Sequence, residues 1–474
     1  MFSLILNKQY SAIDNMSRVA YFGNIFHSLS FTESQTILNG FIAVESGKII
    51  AIGSKADYTS WSYEHKKYFV EVQLSENQFL MPGFIDTHIH APQVPNIGLG
   101  LDKPLMEWLN AYTFPTETEF KDKVFAKAVY EKVVHRTLSC GTTTACYFAT
   151  IHKASSAILA DEAYSQGQRA LVGKVAMNQY SPDHYIEKLE DSIKDNEEFI
   201  QYVKSLESDL ITPIITPRFA ITCSMEMMKK LAKLASTYDL PIQSHISENL
   251  DEIKFTLDIF PGHKSYAEVY DTAGLLTNKC IMAHCVHLED SEIELFAKRK
   301  TSVAHCPHSN TNLRSGLCDV KRLINGGLKV GLGTDISGGN RISILDSIRA
   351  ALDVSHHLNF MKKQHVLGTG QVSVNEENSQ YEPIDYKQAI FLATLGGAQA
   401  LAMDDKTGNF QIGKSFDALI IDSYVGAVDD FVLPKSLTEH LTALEKFEKL
   451  LQKFIYTGDD RNIINVFVDG RQVI

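Results

Sequence analysis

Short runs of apolar and β-branched residues recur along the chain and alternate with longer stretches that have the hydrophobic spacing of amphipathic helices. Runs of this kind, bounded by turn-forming residues, are typical of buried strands. The eight runs lie at residues 79–86, 141–148, 169–177, 211–218, 240–245, 280–284, 301–306 and 328–333. Strands that alternate with helices form parallel sheets, and eight such units predict a (β/α)8 TIM barrel. We therefore expect an α/β protein with this barrel at residues 79–403.

Both ends of the chain have a different pattern. Short strands separated by turn residues are predicted at residues 41–52, 418–421 and 466–474. Because an isolated pair of strands is only marginally stable, we expect residues 1–78 and 404–474 to pair as one small β-sandwich domain. The barrel is then inserted into this domain. A polar stretch at residues 368–383 is expected to be a surface loop.

The composition is that of an ordinary globular protein. Of 474 residues, 44% are hydrophobic and 22% are charged, which excludes a chain that is mostly disordered. The net charge of −12 would repel a phosphate backbone, so we expect no nucleic-acid partner. No apolar run is long enough for a membrane span, and the opening at residues 1–6 is too short for a secretory signal. Seven cysteines without Cys-x-x-Cys spacing indicate reduced thiols, and we expect a cytoplasmic location.

Histidines stand at the carboxyl ends of several predicted strands, where the active sites of such barrels are built. His88 and His90 end the first strand, and because strand side chains alternate, both point to one face and can bind one metal ion. His245 ends the fifth strand, His284 the sixth and Asp335 the eighth. Each alone is a weak signal, because a single strand-end histidine is more often structural and an aspartate after Gly-Thr is often a helix cap. Together they predict a divalent-metal site, with zinc favoured and iron or manganese as alternatives.

Three more polar residues follow the same strands. Glu248 lies three residues after His245 and is a candidate proton shuttle. Its alternative roles are a solvated loop carboxylate and the N3 residue of a capping box. His305 and His308 close the seventh strand, and we assign them structural or supporting roles rather than metal ligation.

Several segments together resemble the amidohydrolase superfamily of metal-dependent hydrolases. They lie at residues 81–90, 333–335, 394–401 and 413–418. Shorter motifs resemble the branch of this superfamily that removes the amino group of guanine. These are HIHAPQ at 88–93, LMEWL at 105–109, PRF at 217–219, QSHISE at 243–248 and GDDRNI at 458–463. The sequence departs from that branch at His308, where asparagine is common, and in the loosely matching first 70 residues.

The resemblance implies hydrolysis of guanine at C2 to xanthine and ammonia by a homodimeric enzyme with one Zn²⁺ per chain. The implied metal ligands match His88, His90, His245 and Asp335. The implied catalytic residues match Glu248, Asp335 and His284. The implied substrate contacts match Gln93, Trp108, Leu109, Arg218, Phe219, His245 and Glu248.

The chemistry of guanine suits these substrate contacts. Guanine is flat and rich in acceptors along its carbonyl edge, so Arg218 and Gln93 can donate to it while Phe219 and Trp108 supply flat surface. Outside the resemblance, a surface salt bridge for Arg218 and a core position for Phe219 are the ordinary interpretations.

Three alternative functions remain open. The first is deamination of another purine or a pterin. The second is a binuclear cyclic-amide hydrolase, whose relatives bridge two metals with a carboxylated lysine at the fourth strand. Here that strand ends in Thr216, Pro217 and Arg218, which favours a single metal. The third is a non-catalytic scaffold, which the retained set of candidate ligands disfavours.

Overall fold

The computed structural model of the protein describes residues 18–65, 68–362, 381–423 and 434–474. Its strands are β1 (Arg18–Ser28), β2 (Ser34–Glu45), β3 (Lys48–Ser54), β4 (Val70–Gln73), β5 (Gln78–Pro82), β6 (Phe84–His90), β7 (Thr142–Phe148), β8 (Arg169–Gly173), β9 (Val175–Ala176), β10 (Ile211–Pro213), β11 (Thr216–Pro217), β12 (Ile242–Ile246), β13 (Cys280–His284), β14 (Ser302–His305), β15 (Val330–Leu332), β16 (Ala418–Asp422), β17 (Ile463–Val468) and β18 (Arg471–Gln472). Its α-helices are α1 (Lys55–Glu64), α2 (Leu105–Trp108), α3 (Phe114–Thr118), α4 (Lys123–Ser139), α5 (Lys153–Gln166), α6 (Leu189–Ser205), α7 (Met225–Tyr238), α8 (Leu250–Ile259), α9 (Tyr266–Ala273), α10 (Asp290–Arg299), α11 (Pro307–Asn312), α12 (Val320–Asn325), α13 (Ile344–Lys362), α14 (Tyr386–Ala393), α15 (Leu395–Ala400), α16 (Lys435–Thr438) and α17 (Ala443–Thr457).

Each of the eight apolar runs contains a strand of a parallel sheet. One four-stranded sheet has the order β10-β8-β7-β6 and another has the order β12-β13-β14-β15. A parallel bridge between Ile215 and Ile242 joins them on one side. On the other side, the Thr87 hydroxyl donates to the carbonyl oxygen of Leu332 over 2.8 Å. The carboxyl ends of both sets of strands therefore meet at one place.

Helices cover the strands, and the core contains side chains from both. The largest cluster of buried apolar side chains includes Met282, Val303 and Leu332 from the strands and Leu231, Tyr270 and Phe296 from the helices. Parallel sheets need this cover because both of their faces are apolar. All seven cysteines lie in the described residues, where they are free and buried. Within the same residues, no helix combines the length and apolar character needed to cross a membrane.

The first predicted strand, at residues 79–86, is two strands in different sheets. β5 pairs with β1 and β16, whereas β6 pairs with β7. Gly83 lies between them, and a Cβ at this glycine would lie 2.1 Å from Thr143 Oγ1. The close approach to Thr143 allows only glycine at this crossing. The change of sheet therefore occurs at Gly83.

The two ends of the chain share one eight-stranded sheet. Its order is β18-β17-β16-β5-β1-β2-β3, with β4 beside β1. Antiparallel pairing of β5 with β16 joins the N-terminal strands to the C-terminal ones. The expected pairing of the two ends is therefore present, while the sandwich packing and the domain division stay predictions. Of the polar stretch at residues 368–383, residues 368–380 lie outside the described residues.

A buried ion pair connects the eight-stranded sheet to strand β8 of a parallel sheet. Arg169, the first residue of β8, donates from Nε and Nη2 to Asp417 over 3.0 and 3.2 Å, and both side chains are at most 2% exposed. Removing one charge of a buried pair leaves the other uncompensated, at a cost of about 3–5 kcal/mol. We expect Asp417→Asn to lower the free energy of unfolding by about that amount, measured by urea denaturation.

The matched control is Asp271→Asn. Asp271 accepts the same two-point contact from Arg299, over 2.6 and 3.0 Å, but the arginine side chain is 44% exposed. Water screens this pair, so we expect no more than a small loss. Equal losses in the two variants would contradict a special role for the buried pair.

Candidate active site

Five side chains come together where the strands end, and they are the five that the strand pattern selected. His88 Nε2 is 3.1 Å from Asp335 Oδ1, and His284 Nε2 is 3.8 Å from Asp335 Oδ2. His90 Nε2 is 3.4 Å from Asp335 Oδ1 and 3.1 Å from His245 Nε2. These residues lie on β6, β12 and β13 and directly after β15. The structure thus joins residues that are far apart in the sequence.

Local backbone contacts place Asp335 against the first barrel strand. Its N–H donates to the carbonyl oxygen of His88 over 2.9 Å. A Cβ at Gly333 would lie 2.9 Å from the Cβ of His88, so glycine lets the segment after β15 approach this close. Asp86 accepts hydrogen bonds from the N–H and hydroxyl of Thr334 over 3.0 and 2.5 Å, which fixes the same segment.

The arrangement of donor atoms fits a metal ion. Ligand atoms of His88, His245, His284 and Asp335 all lie within 4.8 Å of one another. Nε2 of His88 is buried and has no hydrogen-bond partner. Zinc binds nitrogen and oxygen at about 2.0–2.2 Å in a tetrahedron, which separates neighbouring ligand atoms by about 3.4 Å. His90 is not in this set, but its Nε2 lies close to two of the same residues. The pairs His88–Asp335, His90–Asp335 and His90–His245 have donor atoms 3.1–3.4 Å apart, close to that separation.

Hydrogen bonds behind two of the imidazoles set their tautomers. His245 Nδ1 donates to the carbonyl oxygen of Arg218 over 2.6 Å, and His284 Nδ1 donates to Asn310 Oδ1 over 2.9 Å. A neutral imidazole that donates from Nδ1 has its lone pair on Nε2. In the neutral form of each ring, Nε2 therefore faces the cluster as an acceptor. Burial lowers the pKa of His284, but Glu248 and Asp335 outweigh burial and raise the pKa above its ordinary value. The role of Asn310 was not predicted, since an asparagine in a short helix gives no signal in the sequence.

Burial and neighbouring charges set the ionisation of the cluster. Burial lowers the pKa of His90 and His245 well below the ordinary value, and the adjacent imidazoles lower it further. Burial raises the pKa of Asp335, but its contact with His88 and the other imidazoles outweighs burial and holds the pKa well below the usual range. Neutral imidazoles beside an ionised carboxylate are the forms that bind a cation.

Glu248 is buried beside His284 and has neither of its alternative roles. It is 4% exposed, its Oε2 lies 3.4 Å from His284 Nε2, and its Oε1 accepts from the Ser315 hydroxyl over 3.0 Å. The helix-capping role belongs to Glu252, which forms a capping box with Asn249. Burial raises the pKa of Glu248 to about 7. A carboxyl group with this pKa can both give and take a proton near neutral pH.

A partly enclosed cavity opens onto this cluster. Its wall combines polar groups at one end with apolar side chains, namely His90, Gln93, Leu105, Trp108, Leu109, Arg218, Phe219, His245, Glu248, Glu252, His284, Leu313 and Asp335. Every predicted substrate contact lines the cavity, while His88 lies outside its lining. His305 and His308 also lie outside it, consistent with supporting roles.

Glu117, on α3, is a central residue that the sequence pattern missed. Its carboxylate accepts from Arg218 Nη2 over 3.0 Å, from Gln93 Nε2 over 2.9 Å and from the Tyr185 hydroxyl over 2.8 Å. Glu117 is fully buried and Arg218 is 3% exposed, so Arg218 does not form the surface salt bridge that its residue type favours. Only the fold brings these residues together, because a glutamate in a short amphipathic helix ordinarily faces solvent.

Parallel strands whose carboxyl ends carry a histidine and aspartate cluster define a class of metal-dependent hydrolases. The chain belongs to the Amidohydrolase family, which matches residues 79–473. It is 42% identical to "Probable guanine deaminase" from Schizosaccharomyces pombe, covering 96% of this chain and 83% of that protein. It is also 42% identical to "Guanine deaminase" from Homo sapiens, with 95% and 96% covered.

A solved structure agrees with these relatives. Guanine deaminase from C. acetobutylicum, with bound guanine in the active site, superposes with a TM-score of 0.84 at 34% identity. The match covers 96% of this chain and 100% of that one. This similarity confirms the amidohydrolase fold that the sequence motifs implied.

Proposed function

We propose that the protein is a guanine deaminase, which hydrolyses guanine at C2 to give xanthine and ammonia. One observation carries the proposal: a single small cavity has the histidine and aspartate cluster with Glu248 at one side, and Arg218 with Gln93 in the same lining. The first group suits hydrolysis, and the second suits recognition of a carbonyl edge. The relatives named for guanine deamination match nearly the whole chain, which supports the same substrate.

The proposed metal ligands are His88, His90, His245 and Asp335, with one Zn²⁺ per chain. Held by these residues, a zinc ion would lower the pKa of a water that it binds to about 7. Asp335, held ionised by the surrounding imidazoles, accepts the proton of the attacking water. His284 Nε2, with its lone pair fixed by Asn310, orients that water.

The remaining residues hold guanine and move protons. Glu248 gives a proton to the ring nitrogen next to C2 and then to the departing amine, which its raised pKa permits. Arg218 and Gln93 donate to the carbonyl edge of the purine. Trp108, Leu109 and Phe219 are buried side chains of the cavity wall that provide apolar surface against the flat ring and exclude water.

The proposal includes the architecture that the sequence predicts. The two four-stranded parallel sheets close into a single (β/α)8 barrel, supported by the contacts on both of their outer sides. The eight-stranded sheet then forms the small β-sandwich domain. The cytoplasmic location and the homodimer are proposals from the sequence, which fractionation of cells and analytical ultracentrifugation would test.

Ammonia release is the direct test of this function. Purified enzyme should release ammonia from guanine, with much lower rates for adenine and for pterins. A pterin turned over faster than guanine would favour the first alternative function. Hydrolysis of a cyclic amide without ammonia release from guanine would favour the second, and no turnover of any of these compounds would favour the scaffold.

We expect one divalent ion per chain, measured by elemental analysis of the purified protein. A chelator should remove both the metal and the activity, and added Zn²⁺ should restore both, because the proposed reaction depends on the bound ion. Asp335→Asn should lower metal content, since an amide is a weaker ligand than an ionised carboxylate. Two ions per chain, or full activity without metal, would contradict the proposed site.

A further inference from the structure

The contacts of Glu117 point to a role in selecting the charge of the ligand. We propose that Glu117 neutralises Arg218, so that the site accepts neutral guanine and does not retain its product as an anion. This inference rests on the proposed function and adds a specificity-determining residue to it. Glu117 does not line the cavity itself, so it acts through Arg218 and Gln93.

Glu117 ties together groups from separate parts of the chain. Gln93 follows β6, Arg218 follows β11, and Tyr185 lies in the loop between β9 and α6. All three donate to the Glu117 carboxylate. The guanidinium also lies over the ring of Phe114, on the same helix as Glu117, with 4.9 Å between Cζ and the ring centroid. One short helix therefore fixes both the position and the charge of the purine-binding residues.

The hydrogen-bond count leaves donors for a ligand. A guanidinium has five N–H donors, and Glu117 accepts one from Nη1 and one from Nη2. Gln93 gives one amide proton to Glu117, and its carbonyl oxygen accepts from the N–H of Ser337 over 3.0 Å. The remaining donors can bind a carbonyl oxygen, while the carboxylate balances the positive charge.

The balance of charge between Glu117 and Arg218 matters because both side chains are buried. An unpaired guanidinium in a site of low dielectric attracts anions strongly, whereas a guanidinium paired with a carboxylate does so much less. Guanine and xanthine share the C6 carbonyl edge, but xanthine is the stronger acid and loses a proton near neutral pH. A lone Arg218 would therefore hold the xanthine anion, and Glu117 prevents this retention.

Competitive inhibition by xanthine tests the proposal. The inhibition constant is measured against guanine at one pH well below and one well above the first ionisation of xanthine. In the wild type, ionisation of xanthine should leave inhibition unchanged or weaken it. In Glu117→Gln, which keeps the side-chain shape but removes the charge, inhibition should tighten on ionisation by at least about tenfold relative to the wild type.

Other ionisable groups surround Glu117 and Arg218, and the comparison of Glu117→Gln with the wild type cancels their effects. Electrostatic contacts with Glu117 or Arg218 involve His90, Tyr130, His152, Tyr185 and Asp335. They are common to the wild type and to Glu117→Gln, so the ratio between the two proteins isolates the lost charge. Tyr185→Phe is the matched control, because it removes one hydrogen bond to Glu117 without changing its charge. Its response to xanthine ionisation should equal that of the wild type.

Two results would overturn the inference. One is that xanthine ionisation changes the inhibition of Glu117→Gln as it changes that of the wild type. The other is that Tyr185→Phe shows the tenfold change. If Glu117→Gln fails to fold, the wild type still tests the inference. Tighter inhibition of the wild type by the xanthine anion than by neutral xanthine would show that Glu117 does not neutralise Arg218. An inactive wild type would overturn the proposed function, whereas an active one with an unchanged Glu117→Gln ratio would overturn this inference alone.

Discussion

Glu248→Gln should lower kcat for guanine by about 10²–10⁴-fold, the range that positioned general acids and bases contribute. The amide has nearly the shape of the carboxyl group but cannot deliver a proton to the purine ring. Ser315 can still donate to the amide oxygen, as it does to Glu248 Oε1 over 3.0 Å, so the side chain should keep its position. Steady-state kinetics with guanine, together with metal analysis of the same preparation, would measure this loss.

The control for that experiment separates proton transfer from folding. Glu226 is an exposed glutamate at the start of α7, and Glu226→Gln makes the same chemical change far from the cavity. It should leave kcat unchanged. Guanine should still bind to metal-loaded Glu248→Gln, which equilibrium binding would show. Near-normal turnover in a folded, metal-loaded Glu248→Gln protein would contradict the proposed proton shuttle.

Removing the carbonyl group that Arg218 is proposed to bind should have a larger effect. 2-Aminopurine keeps the amine at C2 but has no oxygen at C6, so the buried donors of Arg218 and Gln93 would be left without an acceptor. Sites built to hydrogen-bond a substrate reject analogues lacking the group by as much as 10⁴–10⁵-fold. We expect kcat/KM for 2-aminopurine to fall toward this range relative to guanine, measured by ammonia release.

Arg218→Ala should reduce this discrimination. The variant should lose kcat/KM for guanine much more than for 2-aminopurine, because only guanine has the C6 carbonyl oxygen that the guanidinium is proposed to bind. Arg461→Ala is the control, since Arg461 lies in the GDDRNI motif but its side chain is 52% exposed. It should leave both substrates unaffected. Unchanged guanine kinetics in Arg218→Ala, or equal rates for the two purines in the wild type, would contradict the recognition of the carbonyl edge.

The positions of the strands could be predicted because the residue types of a strand reflect whether that strand is buried. A strand buried between helices has an uninterrupted apolar run, which depends on neighbours along the chain and is visible without the fold. The prediction failed at residues 79–86, where two strands of different sheets follow each other. Both are buried, so the apolar pattern does not change at Gly83, and only the pairing partners differ.

The candidate ligands could be predicted for a related reason. Strand ends converge in a parallel sheet, so His88, His245, His284 and Asp335 could be placed together from their positions alone. Glu248 followed from its spacing after His245. Their roles stay proposals, but the structure brings the four candidate ligands together and places Glu248 beside His284.

The sequence by itself determined the class of the protein, since strand periodicity, strand-end histidines and the motifs of the amidohydrolase family are local along the chain. Tertiary structure decided which residues support that chemistry. Asn310 fixes the tautomer of His284, and Glu117 meets Arg218 although 101 residues separate them. Glutamate and asparagine occur mostly on surfaces, so their residue types predict solvent exposure. Whether such a residue is buried, and which residues it contacts, depends on the packed fold and is not visible in the local sequence.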